Sequence, residues 1–347
     1  MIDKSAVFSV IITYGKRFYL LKQVVNACIN EGIGKIIVVD NCSENREELQ
    51  NLEKILSGKL RVIYLDRNTG SAGGFKVGLE EACKEEKCQQ ILLLDDDNIP
   101  AQGSIQRALL LWNYFKTSEE FFALSFLRKT WVNHLWAIKL GLTMKFSTDS
   151  FVGFGIKDVL LRLILVYKYT RKVMKKRETL YPIALAEASP YGGLFFNKTI
   201  LQKIGFPDEK FILYADDTEF TYRITEKGGK IYLCSNLEIE DIDWPSERTR
   251  RNGIHYFYQD NANEAKIYYF TRNWVFLERK FVRTRLIYNV NLIARLTYNF
   301  GFLYLRNVHK IRFKLYKRRV KLIWKAICDG QAGNLGKGVF EGKELEL

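Results

Sequence analysis

Short apolar runs alternate with longer segments of helical periodicity over the first 130 residues. The repeat of one run plus one periodic segment is roughly 27 residues, which suits βαβ units. The runs are almost continuously apolar, as expected for a parallel sheet that is covered by helices on both faces. The pattern predicts an α/β domain with strands at 7–13, 35–40, 60–65 and 90–95, and helices around 18–30, 45–56 and 73–86.

Polar residues follow each of these strands. Parallel sheets bind ligands at the carboxyl ends of their strands, so these groups are expected to meet in one crevice. The four groups are Thr13-Tyr14-Gly15, Asp40-Asn41, Asp66-Arg67-Asn68 and Asp95-Asp96-Asp97.

The aspartate triplet closes the apolar run 91–94. Three adjacent carboxylates at the end of a buried strand repel one another and lose hydration. A divalent cation with a phosphorylated ligand, or nearby Arg and Lys side chains, would neutralise them, and a solvated acidic turn is the alternative. Asp95 and Asp97 lie on the same face of the strand and can point to one ion.

A glycine-rich loop at 68–78 follows the third strand and opens a helix. Its glycines permit a close backbone approach, and a helix N-terminus offers free N–H groups to an anion. The spacing is not that of the dinucleotide fingerprint, and the Gly-Lys-Ser/Thr of a P-loop is missing. A phosphate cradle and an ordinary βα turn therefore both fit.

A second acidic cluster, Asp216-Asp217-Thr218-Glu219, begins a predicted helix at 215–227. Asp216 and Glu219 have the spacing of a capping box, in which the carboxylates satisfy free backbone N–H groups. Alternatively, two adjacent carboxylates with an apolar border would raise one pKa and supply a general base.

The rest of the chain reads as a loop and an amphipathic helix at 131–185, short elements at 192–204 and 230–234, and helices from about 261 to 328. The apolar window 286–305 is long enough to be tested as a membrane span. It contains Arg295 and three asparagines, which favours a helix lying on or near a surface.

The 347-residue chain has a net charge of +15 that is concentrated near its end. Fourteen Lys or Arg residues lie between Arg279 and Lys325, and no acid lies between Glu278 and Asp329. The partner of this region is a nucleic acid, an anionic membrane or a polyanionic substrate. Six scattered cysteines and the lack of a secretory signal predict a cytoplasmic protein.

Taken together, the motifs resemble the family 2 glycosyltransferases, which have a GT-A fold: a Rossmann-like, mostly parallel sheet with helices on both faces. The Asn68-x-Gly70-x-Ala72-Gly73-Gly74-Phe75 loop with the aspartate triplet is most similar to the galactofuranosyl- and rhamnosyl-transferase branch. Gly192-Gly193 and Asp216-Asp217-x-Glu219-Phe220 complete a resemblance that covers residues 5–275.

The resemblance implies an inverting, metal-dependent transferase that uses a nucleotide-diphospho-sugar. It assigns Asp217 as the base, with Asp216 and Glu219 orienting acceptor and base, and Gly192 and Gly193 at the acceptor. Asp95 and Asp97 would bind Mg²⁺ or Mn²⁺. The donor would be contacted by Thr13, Tyr14, Gly15, Asp40, Asn68, Gly70, Gly73, Gly74 and Asp96.

One position departs from the family pattern. Members commonly carry a His about thirteen residues after the glycine that ends the base helix, as a metal or diphosphate contact. In this chain the count from Gly228 reaches Asp241. Aspartate is a hard oxygen donor, so Asp241 is a candidate third ligand for Mg²⁺ or Mn²⁺, with a surface acid as the alternative.

The resulting hypothesis is a transferase of bacterial surface-polysaccharide synthesis that acts on a lipid-linked saccharide at the inner face of the membrane. Galactofuranose from a UDP-sugar is favoured, and rhamnose from a dTDP-sugar is second. The catalytic domain is placed at 1–260, with a nucleotide-sugar half (1–130), an acceptor insert (131–185) and a catalytic-base half (186–260). A basic helical region (261–347) would bind an anionic membrane.

Two alternatives remain. One is a nucleic-acid-binding protein that uses the basic region, although nucleic acid is not the expected partner. The other is a non-catalytic nucleotide-sugar-binding scaffold. A homo-oligomer is possible.

Overall fold

The computed structural model describes residues 3–174, 181–243 and 256–347. Their contacts divide the chain into two compact units. The first unit contains residues up to 145, 168–209 and 217–243, and the second contains 146–167, 210–216 and the C-terminal region. The division does not follow the predicted boundary at 260, because two short internal segments belong to the C-terminal unit.

The first unit is built mainly from nine strands and the helices between them. The strands are β1 (Val7–Thr13), β2 (Lys35–Asp40), β3 (Leu60–Tyr64), β4 (Gln90–Asp95), β5 (Asn98–Pro100), β6 (Phe122–Arg128), β7 (Ile183–Ala186), β8 (Leu194–Asn197) and β9 (Lys230–Asp241). The helices are α1 (Phe18–Asn30), α2 (Arg46–Ile55), α3 (Gly70–Lys84), α4 (Ser104–Phe115), α5 (Val132–Leu140), the end of α6 (Ile156–Met174), α7 (Ile200–Ile204) and α8 (Asp216–Glu226).

The strands form one sheet in the order β3-β2-β1-β4-β8-β6-β9-β5, with β7 also paired to β9. The four strands β3, β2, β1 and β4 are parallel, and β6 runs parallel to β9. The remaining pairs are antiparallel. The predicted α/β class is confirmed.

Alternate residues of the parallel strands enter two separate cores. Val7 and Ile11 of β1 pack on one face with residues of α1 and α4, whereas Val10 and Ile12 pack on the other face with residues of α3. Both faces of the sheet are therefore apolar, which explains why these strands read as continuous apolar runs.

The four predicted parallel strands are confirmed to within one residue, and the helices to within a few residues. The sequence interpretation missed β5, β6, β7 and α4. The strand β6 is buried along its whole length, so it shows no alternation of apolar and polar residues, and its Ser125 and Arg128 are buried polar residues. The strand β9 continues to Asp241, beyond the predicted end at 234.

The second unit is largely helical. It contains the first part of α6, α9 (Glu264–Glu278), α10 (Arg285–Leu296), a π-helical turn at Thr297–Phe302, α11 (Leu303–Arg306), α12 (Phe313–Ala332) and the hairpin β10 (Val339–Phe340) with β11 (Lys343–Glu344). Among the residues that the structure describes, none of the helices combines the length and apolar character of a bilayer-crossing span.

The interior of this unit includes several apolar and aromatic residues of the region 261–347, which was predicted to bind a membrane. Ile323 is buried between α9 and α12, and the rings of Tyr304 and Tyr316 pack at 3.9 Å. Phe300 is partly buried in the same core. Phe302 and Trp324 are exposed.

Candidate active site

The aspartate triplet connects two strands of the first unit. Asp95 ends β4, and Asn98 begins β5, which pairs with the end of β9 so that Asn98 lies opposite Asp241. The Asn98 amide donates to Asp97 at 3.0 Å and to Asp241 at 2.8 Å. The turn therefore brings the carboxylates at the ends of β4 and β9 together.

Arg17, immediately before α1, binds three of the carboxylates. Its Nε donates to Asp96 at 2.8 Å, its Nη2 to Asp97 at 2.8 Å and its Nη1 to Asp243 at 2.7 Å. Asp96 also accepts from the Thr13 hydroxyl at 2.8 Å. The predicted donor-binding residues Thr13 and Asp96 thus bind each other and hold Arg17.

Arg128, at the end of β6, serves a second set of acceptors. Its Nη1 donates to Asp241 at 2.7 Å, and its Nη2 donates to Asn98 Oδ1 at 2.9 Å and to the Gly192 carbonyl at 3.0 Å. Asp95 Oδ2 lies 3.6 Å from the same nitrogen. A Cβ at Gly192 would overlap Arg128 and Asn98, so this position requires glycine.

Arg17 and Arg128 are neutralising partners of the kind predicted for the aspartate triplet, namely nearby basic side chains. The sequence interpretation identified neither of them. Arg17 lies two positions after Gly15, close to the end of the first predicted strand, and this position could have identified it as a neutralising partner. Arg128 ends a strand that was not predicted.

Negative charge still exceeds positive charge at this edge of the sheet. Burial, and then the charges of Asp97, Asp217 and Asp241, raise the pKa of Asp95 to about 6, although Arg128 opposes the shift. About half of the Asp95 side chain (47%) remains exposed, so it is accessible to a ligand.

A divalent cation at this site would need oxygen atoms from a bound substrate in addition to the protein carboxylates. Within residues 3–174, 181–243 and 256–347, no three His, Cys, Asp or Glu side chains form a group that could hold a metal. Asp241, one of the three predicted ligands, is only 6% exposed and pairs with Arg128, and its role as a ligand stays a prediction. Mg²⁺ is commonly held by one or two carboxylates plus substrate phosphates, which matches the accessible Asp95 and the partly exposed Asp97.

The loops after β2 and β3 are joined by side chains. Asp40 is fully buried and accepts from the Ser43 N–H at 2.7 Å and from Arg46 at 3.1 Å. Asn41 donates to the Gly70 carbonyl at 2.9 Å and accepts from the Thr69 N–H. Asp40 thus orders its own loop, and its role toward a base or ribose stays a prediction.

Packing explains part of the glycine-rich segment. A Cβ at Gly74 would lie 2.9 Å from Ile12 of β1, and one at Gly78 would overlap Val10. A Cβ at Gly73 would press on Thr69, and Asn68 accepts from the Gly70 N–H at 2.9 Å. These glycines allow α3 to lie close to the sheet, so the βα-turn interpretation accounts for them without a phosphate.

The other predicted contacts lie near the cluster or in neighbouring turns. The Tyr14 side chain is largely exposed, and Arg17 lies over its ring at 5.5 Å. Gly15 and Gly193 have left-handed backbones, with φ of 57° and 89°. Gly193 precedes β8 directly, and its N–H donates to the Leu93 carbonyl at 2.8 Å.

Two carboxylates of the second acidic cluster, Asp217 and Glu219, lie in the first unit and have different hydrogen-bond partners. Asp217 accepts from the Thr218 N–H at 2.6 Å and hydroxyl at 3.0 Å, and burial raises its pKa. Its charge also acts on Asp95. Glu219 instead pairs with Arg223, which also donates to the Phe206 carbonyl at 2.8 Å. Glu219 therefore anchors α8, and Asp217 is the carboxylate suited to act as a base.

Within the second unit, α9 fixes the segment that leads to Asp216, which is itself buried. The Asn273 amide donates to the carbonyls of Phe211, Leu213 and Tyr214 at 2.8–2.9 Å. Arg272 is fully buried and donates to the Lys210 carbonyl at 3.2 Å. Arg272 and Asn273 therefore both support the backbone that precedes Asp216.

Part of the chain is similar to a known protein family. Residues 9–138 match the family model "Glycosyl transferase family 2". Over this segment the chain is similar to the family 2 glycosyltransferases. The matched segment contains the aspartate triplet, Arg17 and Arg128. No curated protein sequence matches it.

A solved structure of another protein has a similar fold. The crystal structure of GalNAc-T7 with UDP, GalNAc and Mn²⁺ matches with a TM-score of 0.52 and 14% identity, over 77% of this chain and 47% of that one. This chain thus spans about half the length of GalNAc-T7, and the likeness supports the predicted GT-A fold. Residues 1–349 of S. aureus TarS in complex with UDP-GlcNAc match with a TM-score of 0.48 and 17% identity, over 93% and 80% of the two chains.

Proposed function

We propose that the protein transfers a sugar from a nucleotide-diphospho-sugar to a hydroxyl group of a lipid-linked saccharide, with inversion at the anomeric carbon. The observation that carries the proposal is that the accessible Asp95 and the Thr218-bound carboxylate of Asp217 belong to one compact unit, which also contains the segment similar to the family 2 glycosyltransferases. One carboxylate lies on each side of the reaction: Asp95 toward the leaving diphosphate and Asp217 toward the acceptor.

Asp217 is proposed to accept the proton of the acceptor hydroxyl. The acceptor oxygen forms its bond to the anomeric carbon while the bond from that carbon to the diphosphate breaks, and the diphosphate leaves with the electron pair. Burial raises the Asp217 pKa, which makes the carboxylate a stronger base than an exposed aspartate. Thr218 holds its oxygen in place through two hydrogen bonds.

Asp95 and Asp97 are proposed to hold Mg²⁺ or Mn²⁺ together with diphosphate oxygens. When bound, the cation neutralises charge that develops on the leaving group. Arg17 and Arg128 keep the neighbouring carboxylates in place at the same edge of the sheet. This arrangement uses two protein carboxylates and therefore does not require Asp241 as a ligand.

The identity of the sugar is carried by the sequence resemblance alone. The resemblance favours galactofuranose from a UDP-sugar, with rhamnose from a dTDP-sugar second. Gly74 and Gly78 have packing roles against β1, so they do not add support for either sugar. The proposed acceptor implies activity at the inner face of the membrane, where the basic C-terminal region would meet anionic lipids.

Calorimetric titration with UDP, dTDP and GDP, with and without Mn²⁺, tests the donor assignment. We expect one nucleotide to bind in a Mn²⁺-dependent manner, and Asp95→Ala to abolish the dependence on Mn²⁺. Glu86→Ala is the matched control, because this exposed acid lies just before the opposite end of β4. Failure of all three nucleotides to bind the folded protein would overturn the proposal.

A further inference from the structure

The helix α6 carries an apolar stripe that points away from the protein. Ile156, Leu160, Leu163 and Tyr167 follow the i, i+4, i+7, i+11 spacing of one helix face. Leu160 and Leu163 are 60% and 64% exposed. On the inward side, Asp158 accepts a hydrogen bond from the Ser147 hydroxyl at 2.5 Å. Leu165, on the same side as Asp158, is partly buried, and the other apolar side chains of residues 156–167 are exposed, so most of the apolar surface of this segment covers no core.

A second outward stripe runs along α10 and α11. Leu286, Val290 and Ile293 are exposed at i, i+4 and i+7, with exposed fractions of 73% for Leu286 and 61% for Ile293. The opposite side of α10 is buried at Tyr288 and Asn291. Exposed apolar side chains in two stripes exceed what a protein surface carries at random and indicate a partner.

The two stripes belong to the same compact unit and start from a common anchor. Asn291 of α10 accepts from the Ile156 N–H at 3.0 Å and donates to the Asp149 carbonyl at 2.7 Å. Arg295 lies over the Phe154 ring at 5.8 Å. The first turn of α6 is therefore fixed against the inner side of α10.

The charged side chains around these stripes are almost all positive. Lys157 and Arg162 lie on α6, and Arg283 and Arg285 lie at the start of α10, all of them exposed. The single acid of α6, Asp158, is turned inward, and no acid occurs from 279 to 328. Exposed apolar side chains flanked by cations, in a sequence with no acid from 279 to 328, complement a bilayer with anionic headgroups.

We propose that these stripes form a docking face that lies against an anionic lipid bilayer, with their apolar side chains between the headgroups. This inference rests on the proposed lipid-linked acceptor. It assigns membrane contact to exposed residues of α6, α10 and α11 rather than to the buried residues of α12. The docking face consists of Leu160, Leu163, Tyr167, Leu286, Ile293 and Leu305.

Flotation of the full chain with vesicles tests this assignment. The vesicles are phosphatidylcholine alone and phosphatidylcholine mixed with phosphatidylglycerol, each at low and high salt. We expect binding to the mixed vesicles that weakens with salt. Leu163→Glu and Ile293→Glu should each lower the bound-to-free ratio by about tenfold or more, because a charge replaces an inserted apolar group.

Ile55→Glu is the matched control, since Ile55 is an exposed apolar residue (78%) at the end of α2 in the other unit. It should float like the wild type. Melting temperatures verify that each variant is folded, and Arg162→Gln should reduce only the component that depends on phosphatidylglycerol. Wild-type binding by Leu163→Glu and Ile293→Glu would overturn the inference.

An alternative occupant, a second copy of the chain, gives a different result. In that case the wild type would sediment as an oligomer that Leu163→Glu dissociates, without vesicle binding, and the inference would be overturned. Titration of the same samples with nucleotides separates this question from the proposed function. A wild-type protein that binds nucleotide but no vesicles contradicts the docking face alone, whereas a wild-type protein that binds no nucleotide contradicts the transferase proposal.

Discussion

Replacing Asn273 by alanine is expected to slow catalysis without removing any group that touches the substrates. The Asn273 amide donates to three carbonyls of the segment 211–214, which leads directly to Asp216 and Asp217. Ile212, Tyr214 and Ala215 in this segment have left-handed backbones, with φ of 66°, 69° and 58°. The segment therefore holds an unfavourable conformation that needs external support.

The magnitude follows from the bonds that are lost. An amide nitrogen with two hydrogens supports about two good hydrogen bonds, and leaving carbonyls unpaired costs about 1–3 kcal/mol each, or about 2–6 kcal/mol for two of them. Residues in sparsely populated backbone regions cost on the order of 1–3 kcal/mol each. The two quantities are comparable, so the segment should relax once Asn273 is gone. A displacement of about 1 Å at a reacting group costs up to about 10²-fold in rate.

The assay is steady-state kinetics with saturating donor, together with calorimetric donor affinity. Asn273→Ala should lower kcat by about 10- to 100-fold and leave donor affinity within about twofold. Asn263→Ala is the control, because Asn263 caps the same helix by accepting from the Lys266 N–H and its loss costs about 1 kcal/mol. If Asn273→Ala reduces kcat no more than Asn263→Ala does, the proposed support of the segment is wrong.

Three further predictions concern the acidic residues. Because burial raises the pKa of Asp217 and the base must be deprotonated, kcat should fall as pH drops through a value above the usual ~3.9, and a pH–rate profile that is flat to below that value would contradict this. Arg17→Ala removes the cation that Asp96, Asp97 and Asp243 share and should destabilise the protein by about 3 kcal/mol in a denaturation series, whereas Lys16→Ala removes an exposed pair worth about 0–1 kcal/mol. Glu219→Gln should lower the melting temperature by weakening the bond to Arg223 while kcat changes less than about threefold, and a large kcat loss would assign Glu219 to the reaction.

The parallel half of the fold was predictable because its strands are apolar on both faces and end in polar residues. The mixed half was not. Its strand β6 contains a buried serine and arginine, whose partners come from distant parts of the chain. Local patterns carry no information about such partners, so β6 could not be distinguished from its surroundings.

The same limit applies to the site. Asp95 and Asp217 could be identified from their own neighbours in the sequence. The arginine that neutralises part of the acidic cluster could not be identified in this way. Arg128 and Asp241 are separated by 113 positions in the sequence and are brought together only by the pairing of β6 with β9. The docking face was likewise hidden, since periodicity predicts an apolar stripe but not the direction in which it points.

The central claim is tested most directly by following sugar transfer to a bacterial lipid extract from UDP-galactofuranose and dTDP-rhamnose, with wild type and Asp217→Asn side by side. The account predicts transfer from one donor, a loss of about 10²–10⁴-fold in Asp217→Asn, and unchanged nucleotide affinity in that variant. Equal turnover by Asp217→Asn would contradict its role as the base. A folded wild type that transfers neither sugar and binds no nucleotide would contradict the account as a whole.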